Sequence, residues 1–436
     1  MSTETKLKRI AMLSAGDPKK TFSCLMHHIN LETLWYNFDQ LDPNKAVGID
    51  GVSKKKYKQN LIPNFDDLLA RMKNMAYRPL PVKEALIPKE GQPGKLRPLG
   101  ISVIEDKIVQ GAFRMVLEAV YEPTFLDGSH GFRPKRSCHT AIKALQEYLL
   151  RNPVETVIDI DLKNFFGTID HKILEGFLRE KIKDDRFIRY IIRMFKAGVL
   201  SKNELIVDDR GVPQGSICSP ILSNIFAHKV LDEWIEMIQP HCKGQVKLFR
   251  YADDVIICCA DESDATRIRN TLPKRLAKYK LELNEEKTKV VPFSRRKADQ
   301  GEPQGTFDFL GFTFYWGKSR GGKTIPKLKT SSKTMKRKLA NVKAWVKTNR
   351  SKIKLSDLWK TFTSKLRGHI QYYSVSFNIH RVQYFCLEAT RIVFKWLNRR
   401  SQKKSFTWDK FQKFMERNPL PVARICHPLF AKPQRK

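Results

Sequence analysis

Two adjacent aspartates stand in the middle of an apolar run, Phe249-Arg-Tyr-Ala-Asp-Asp-Val-Ile-Ile-Cys258. The flanks are rich in Val, Ile, Tyr and Phe, which predicts two strands with Ala252-Asp253-Asp254 at the turn of a hairpin. Adjacent carboxylates repel each other and are poorly solvated against a sheet, so something must compensate them. A divalent cation does that best, and Mg²⁺ prefers carboxylate oxygens combined with substrate phosphates. An ordinary acidic hairpin turn is the alternative reading.

A second acidic strand weighs against that alternative. In Thr156-Val-Ile-Asp-Ile-Asp-Leu162, alternation puts Asp159 and Asp161 on one face and Ile158, Ile160 and Leu162 on the other. A carboxylate from this strand beside the hairpin would complete a three-aspartate site. Two metal ions held there could activate an attacking hydroxyl and stabilise a leaving pyrophosphate. The competing reading has either Asp simply capping the strand end.

The chain has 436 residues, room for roughly three domains and a large core. Its net charge of +36 is unevenly spread. From Gly317 to Lys436 there are 31 Lys or Arg against 4 Asp or Glu, while the first 316 residues carry 50 against 41. A basic surface this dense must meet a polyanion, and nucleic acid is the foremost candidate. Anionic membrane fits less well, because no long apolar span is present. Eight cysteines without C-x-x-C spacing read as reduced thiols in a cytoplasmic protein, and no apolar N-terminal stretch suggests a signal peptide.

Further blocks surround the two acidic strands. Ile87-Pro-Lys-Glu-Gly-Gln-Pro-Gly-Lys-Leu-Arg-Pro-Leu-Gly-Ile101 reads as a hairpin bearing Lys89 and Arg97, suited to holding a triphosphate. Gly128-Ser-His-Gly-Phe-Arg-Pro-Lys-Arg-Ser137 precedes the acidic strand, and Gly211-Val-Pro-Gln-Gly-Ser-Ile-Cys-Ser-Pro220 follows it. After the double aspartate come Leu281-Glu-Leu-Asn-Glu-Glu-Lys-Thr-Lys289 and Phe307-Asp-Phe-Leu-Gly-Phe312. In this order the blocks resemble those of bacterial reverse transcriptases, most of all the group II intron reverse transcriptase/maturase family. The resemblance runs from about Lys6 to about Leu429.

That resemblance implies an α+β, right-hand polymerase with fingers, a palm of antiparallel sheet backed by helices, and an α-helical thumb. Residues 1–60 would be an N-terminal extension with the first block, 61–152 fingers, 153–316 palm, 317–400 the maturase-specific thumb and 401–436 a basic C-terminal extension. Helices are expected near Ile104–Tyr121, Ser219–Met237 and Ser263–Tyr279, and loops at Gly301–Gly305 and Gly317–Gly322. Three apolar stripes mark the thumb helices: Met335, Leu339, Val342, Trp345 and Val346; Leu358, Phe362, Leu366, Ile370 and Tyr373; and Phe385, Ile392, Val393 and Trp396. The stretch Leu366-Arg-Gly-His-Ile-Gln-Tyr-Tyr373 resembles the maturase-specific thumb motif. The segment from Arg399 to Pro428 either contacts nucleic acid or caps the thumb.

Family spacing, with an aromatic five residues after the first catalytic Asp, assigns Asp161 rather than Asp159 to the triad with Asp253 and Asp254. The metal set it implies is Asp161, Leu162, Asp253 and Asp254, holding two Mg²⁺ ions. Phe166 matches the steric gate against a 2′-hydroxyl, although one of Phe165 and Phe166 must be a core ring. Lys89 and Arg97 match the grip on the incoming triphosphate, Gln214 the lining of the nucleotide pocket, and Lys287 a lysine behind the palm. Leu310 and Gly311 resemble the primer-positioning turn. Gly167 and Ser216 depart from the usual Phe-Phe-Asp and Pro-Gln-Gly-Gly.

The implied partners are an RNA template, a DNA primer or target, and dNTPs, in the setting of splicing and retrohoming. An RNA-binding splicing cofactor without polymerase chemistry is one alternative. A free-standing enzyme of phage defence or DNA repair is another. With no paired cysteine motifs and little chain beyond the thumb, the zinc endonuclease domain that some family members carry is not expected here.

Overall fold

The computed structural model describes residues 2–88, 94, 96–201, 204–212, 215–400 and 406–430. The strands are β1 (Val82–Pro88), β2 (Leu96–Ile101), β3 (Thr156–Ile160), β4 (Val199–Ser201), β5 (Glu204–Ile206), β6 (Val246–Tyr251), β7 (Asp254–Cys259), β8 (Lys289–Pro292), β9 (Phe307–Phe309), β10 (Phe312–Lys318) and β11 (Thr324–Thr330). They form sheets ordered β2-β1-β4-β5, β6-β7-β3-β8 and β11-β10-β9. Sheets that are antiparallel except where β1 runs parallel to β4, together with many helices, make this an α+β protein, consistent with a polymerase fold. The chain divides into two compact units, Met1–Ala141 with Ile158–Val290, and Ile142–Val157 with Val291–Lys436.

The first unit is organised around the helix Ile104–Tyr121, whose bounds coincide with those expected from sequence. Ile108, Val109, Ala112, Phe113, Val116, Leu117 and Val120 are wholly buried on it. Burial reaches round most of this helix, taking in Asp106 and Gln110, because neighbours pack on several sides. Phe113 stacks on Phe187 with ring centroids 4.5 Å apart. Phe187 belongs to the helix Asp185–Lys196, which buries Ile188, Tyr190, Ile191 and Met194 on the same face. Asp184 caps that helix by accepting from Phe187 N, and its other oxygen accepts from the backbone of Leu25 and Met26. One carboxylate thus satisfies two sets of orphan donors. β1 and β2 pair antiparallel from Lys83↔Ile101 to Pro88↔Leu96, the hairpin expected of the phosphate-gripping segment.

Three sequence expectations need correction. The acidic strand stops at Ile160, so Asp161 lies just beyond the ladder rather than within it. The helix expected over Ser219–Met237 is interrupted: Ser219–Ala227 passes into a π-helical turn, His228–Asp232, before Glu233–Ile238 resumes. Gly317 is not in a loop but pairs with Ile325 near the end of the β10–β11 hairpin.

The second unit carries that hairpin and three long helices, Ser332–Asn349, Leu355–Tyr373 and Ile379–Leu397. The apolar stripes meet in one core, in which Val346, Leu358, Phe362, Val393 and Leu397 are wholly buried. Each such side chain contributes about 1.5–3 kcal/mol on leaving water. The short helix Trp408–Arg417 buries Phe411 completely in the same core. Trp359 lies edge-on to Phe411 and Phe414 and donates Nε1–H to the Asn418 carbonyl at 2.9 Å. Within the expected segment Arg399–Pro428, this helix packs against the three long helices.

Candidate active site

Tyr251 and Asp254 form the last pair of the β6–β7 ladder, which makes Ala252 and Asp253 a two-residue turn. Ala252 has φ +57°, a left-handed conformation that L side chains seldom adopt. Strain of this kind persists where neighbours over-determine it. Here the restraint is Arg250, which is fully buried. Its Nε and Nη2 donate to the two oxygens of Asp232 at 2.8 and 2.7 Å. Its Nη1 donates to Asn224 Oδ1 at 2.9 Å and to the Ala252 carbonyl at 3.3 Å. Burial alone would raise the Asp232 carboxyl. The opposing charge and hydrogen bonds of Arg250 outweigh it and hold the group down at about 2. The π-helical turn is what delivers Asp232 to this position, and such turns often sit at functional sites.

Asp161 is held from the other side. Leu162 forms an antiparallel bridge with Leu283, and the Asp161 carbonyl accepts from Asn284 N at 2.8 Å. The Asp161 carboxylate accepts from Asn284 Nδ2 at 2.7 Å and from Lys287 Nζ at 3.2 Å. Lys287 therefore touches the Asp161 carboxylate directly, in a pair exposed enough to add little stability. Asp159 is half-buried on β3.

The three aspartates act on one another electrostatically. Asp254 is pushed up to about 6, first by desolvation and then by the charges of Asp253 and Asp161. Asp253 is raised by desolvation and by Asp161, against its own backbone hydrogen bond and the Arg97 guanidinium, which lower it. Both side chains are open to water, so this desolvation reflects a dense protein surround rather than a sealed interior. An oxygen-only donor set of this kind suits Mg²⁺. As they stand, no three His, Cys, Asp or Glu side chains among the described residues enclose a common point.

The neighbouring sequence candidates fall as follows. Phe165 is buried at 2% exposure, whereas Phe166 is half-buried. Gly167 is pressed against the Asn164 amide, which fills the space that a side chain at 167 would need. Arg97 is exposed on β2, opposite Ile87. Lys89 and Gln214 lie outside the described residues. Leu310 and Gly311 belong to the second unit and form the turn between β9 and β10, with φ of +51° and +82°. Tyr372 donates its hydroxyl to the Leu310 carbonyl at 3.0 Å, and Ser331 N donates to the Gly311 carbonyl at 3.0 Å.

Residues 87–314 match the family described as reverse transcriptase (RNA-dependent DNA polymerase). The chain belongs to the reverse transcriptase family.

The match spans over half of this reverse transcriptase. Group II intron-encoded protein LtrA of Lactococcus lactis subsp. cremoris is 28% identical, over 87% of this chain and 75% of LtrA. Protein YkfC of Escherichia coli K12 is 34% identical, over 65% of this chain and 80% of YkfC. Nuclear intron maturase 3, mitochondrial, of Arabidopsis thaliana is 36% identical, over 28% of this chain and 17% of that protein. The resemblance to group II intron proteins thus holds over most of the chain. The activity is RNA-directed DNA polymerisation, a chemistry that in this family uses divalent metal ions and nucleic-acid substrates. Among the described residues no helix is long and apolar enough to cross a membrane.

Sequence reasoning missed Asp232, Asn224 and Asn284 in this reverse transcriptase. A signal existed for the first: Arg250 is a cation inside an apolar strand, and a buried guanidinium requires an acidic partner. Nothing local points to which acid it takes.

Proposed function

We propose that this enzyme copies RNA into DNA at a site formed by Asp161, Asp253 and Asp254, with the Leu162 segment beside them. The observation that carries the reading is the hairpin turn itself. It places Asp253 and Asp254 where each feels the charge of Asp161, with Arg97 near enough to act on Asp253. Two Mg²⁺ ions, when bound, would supply charge neutralisation for the attacking hydroxyl and the leaving pyrophosphate. The chain's own part is to hold three carboxylates on two rigid supports, the Arg250-clamped turn and the Asn284-bonded end of β3. Arg97 and Lys89 are the phosphate cations, one planar and one a point charge. Phe166 excludes a 2′-hydroxyl by bulk, and Gln214 lines the nucleotide pocket. Lys287 orients Asp161 in the free protein and is placed to follow charge on the pyrophosphate. The Leu310–Gly311 turn positions the primer end.

In this reading residues 61–152 are fingers, 153–316 palm and 317–400 thumb, preceded by an extension over 1–60 and followed by one over 401–436. The setting is a cytoplasmic intron ribonucleoprotein, in which the protein helps intron RNA fold for splicing and copies it in retrohoming. The intron-encoded and maturase relatives support it, as does the concentration of basic residues after Gly317. Primer extension on an RNA template with Mg²⁺ and dNTPs tests the proposal. Wild-type product should vanish in Asp253→Ala while RNA affinity stays within a few-fold. Equal loss of both would refute the metal role.

A further inference from the structure

Phe132 is a large apolar side chain left 47% exposed, at a position whose backbone is difficult to form. Its φ is +56°, outside the region that a phenylalanine prefers. The segment leading to it runs beside β6: Arg250 N donates to the Gly128 carbonyl and His130 N to the Arg250 carbonyl, both at 2.8 Å. Gly131 lies flush on the Tyr251–Ala252 backbone, where a Cβ would collide with Ala252 N. Asn224, the acceptor for Arg250, donates to the Gly131 carbonyl at 2.6 Å. Arg133 is buried and fixed by Glu122 and by the carbonyls of Leu126 and Ser129. The Phe132 backbone is therefore secured on both sides by the same network that secures the aspartate turn.

The ring is displayed between two residues of the site. Its centroid is 6.3 Å from Phe166, edge to face, and 6.4 Å from Tyr251. The ring is thereby held partly exposed at a fixed place beside the aspartate turn, on a backbone conformation that a phenylalanine disfavours. We propose that Phe132 is a nucleotide-contacting residue, an apolar platform for the sugar and base of the nucleotide held between Phe166 and the aspartate turn. The inference rests on the nucleotide-pocket reading of Phe166. Any base offers a π face and any deoxyribose an apolar face, so the contact is independent of base identity.

Steady-state extension by Phe132→Gly, Phe132→Tyr and Phe166→Ala on one RNA template–primer tests it. Glycine accepts the left-handed backbone without strain, so Phe132→Gly removes the ring alone. KM should rise about tenfold for all four dNTPs, the scale of one aromatic contact with a base. Template–primer affinity and the unfolding midpoint should stay near wild type, dNTP-over-rNTP selectivity should be unchanged, and Phe132→Tyr should restore KM. An unchanged KM would overturn the platform. So would a loss of selectivity matching Phe166→Ala, because Phe132 would then only brace the gate. Unaltered selectivity in Phe166→Ala itself is a separate outcome: it would overturn the gate reading of Phe166, leaving the KM comparison to decide Phe132.

Discussion

Arg250 and Asp232 form a bidentate ion pair with both side chains wholly removed from solvent, and the same guanidinium reaches the carbonyl of Ala252 immediately before Asp253 and Asp254. One contact set thus supports both the core and the turn that carries Asp253. Asp232→Asn leaves a buried cation short of its counter-charge, a loss of about 3–5 kcal/mol in this class of interaction. Chemical denaturation should show a lower midpoint at an unchanged slope. Polymerase activity should fall even where the protein is still folded, since Ala252 loses its anchor.

The same pair sets the acid limit. Asp232 is held at about 2, below its ordinary value of 3.8. A carboxyl depressed on folding contributes stability that is fully present above the unfolded value and is lost as pH falls through the folded one. The stability difference between wild type and Asp232→Asn should therefore be constant above about pH 5 and shrink between about pH 4 and 2. A difference that stayed constant down to pH 2 would show that the pair is not what titrates.

Phe166 should be read through the sugar. Phe166→Ala should increase ribonucleotide incorporation relative to deoxynucleotide, with primer extension on dNTPs largely retained. Incorporation ratios from single-turnover assays decide the matter, and a ratio equal to wild type would transfer the gating role elsewhere.

RNA affinity should depend steeply on salt through the basic helix Ser332–Asn349, where Lys333, Lys336 and Lys343 are exposed. Converting those three to Gln should lower the slope of log K against log salt by about 0.7–0.9 for each phosphate contact removed. This is a cleaner test than removing the tail from Gly317, which would cut through the β10–β11 ladder. A slope that does not change would move the RNA surface away from this helix.

Phe411→Ala removes the ring around which Trp359, Phe394 and Phe406 gather. The cost should be about 3–5 kcal/mol, as for other phenylalanine truncations in cores. A loss below 1 kcal/mol, from urea unfolding, would mean that the C-terminal helix is loosely attached.

Much of the molecule was legible because local pattern and tertiary role agree. The helix Ile104–Tyr121 lies where it was expected, the β6–β7 hairpin announced itself by its acidic turn, and the three long helices by stripes that, Ile370 and Tyr373 apart, lie in or against one core. β11 was not read from Thr324-Ile-Pro-Lys-Leu-Lys-Thr330. Its buried positions do alternate, at Thr324, Pro326, Leu328 and Thr330, but a proline and two lysines mask the alternation. Asp161, Asp253 and Asp254 could be proposed from sequence, whereas the groups fixing their backbone and side chains could not. Asp232 is 18 residues from Arg250 in the chain, and only a π-helical turn turns it inward. Asn284 meets Asp161 across more than a hundred residues.

Gly128 and Gly131 meet the backbones of Leu248 and Ala252 with no clearance for a methyl group. Every missense change of a glycine codon introduces at least that methyl group, so these two positions offer evolution no conservative step. In a randomised library aimed at speed or fidelity they can act as an internal zero: their tolerance should match that of a stop codon. The other positions around the aspartate turn can be scored against that floor.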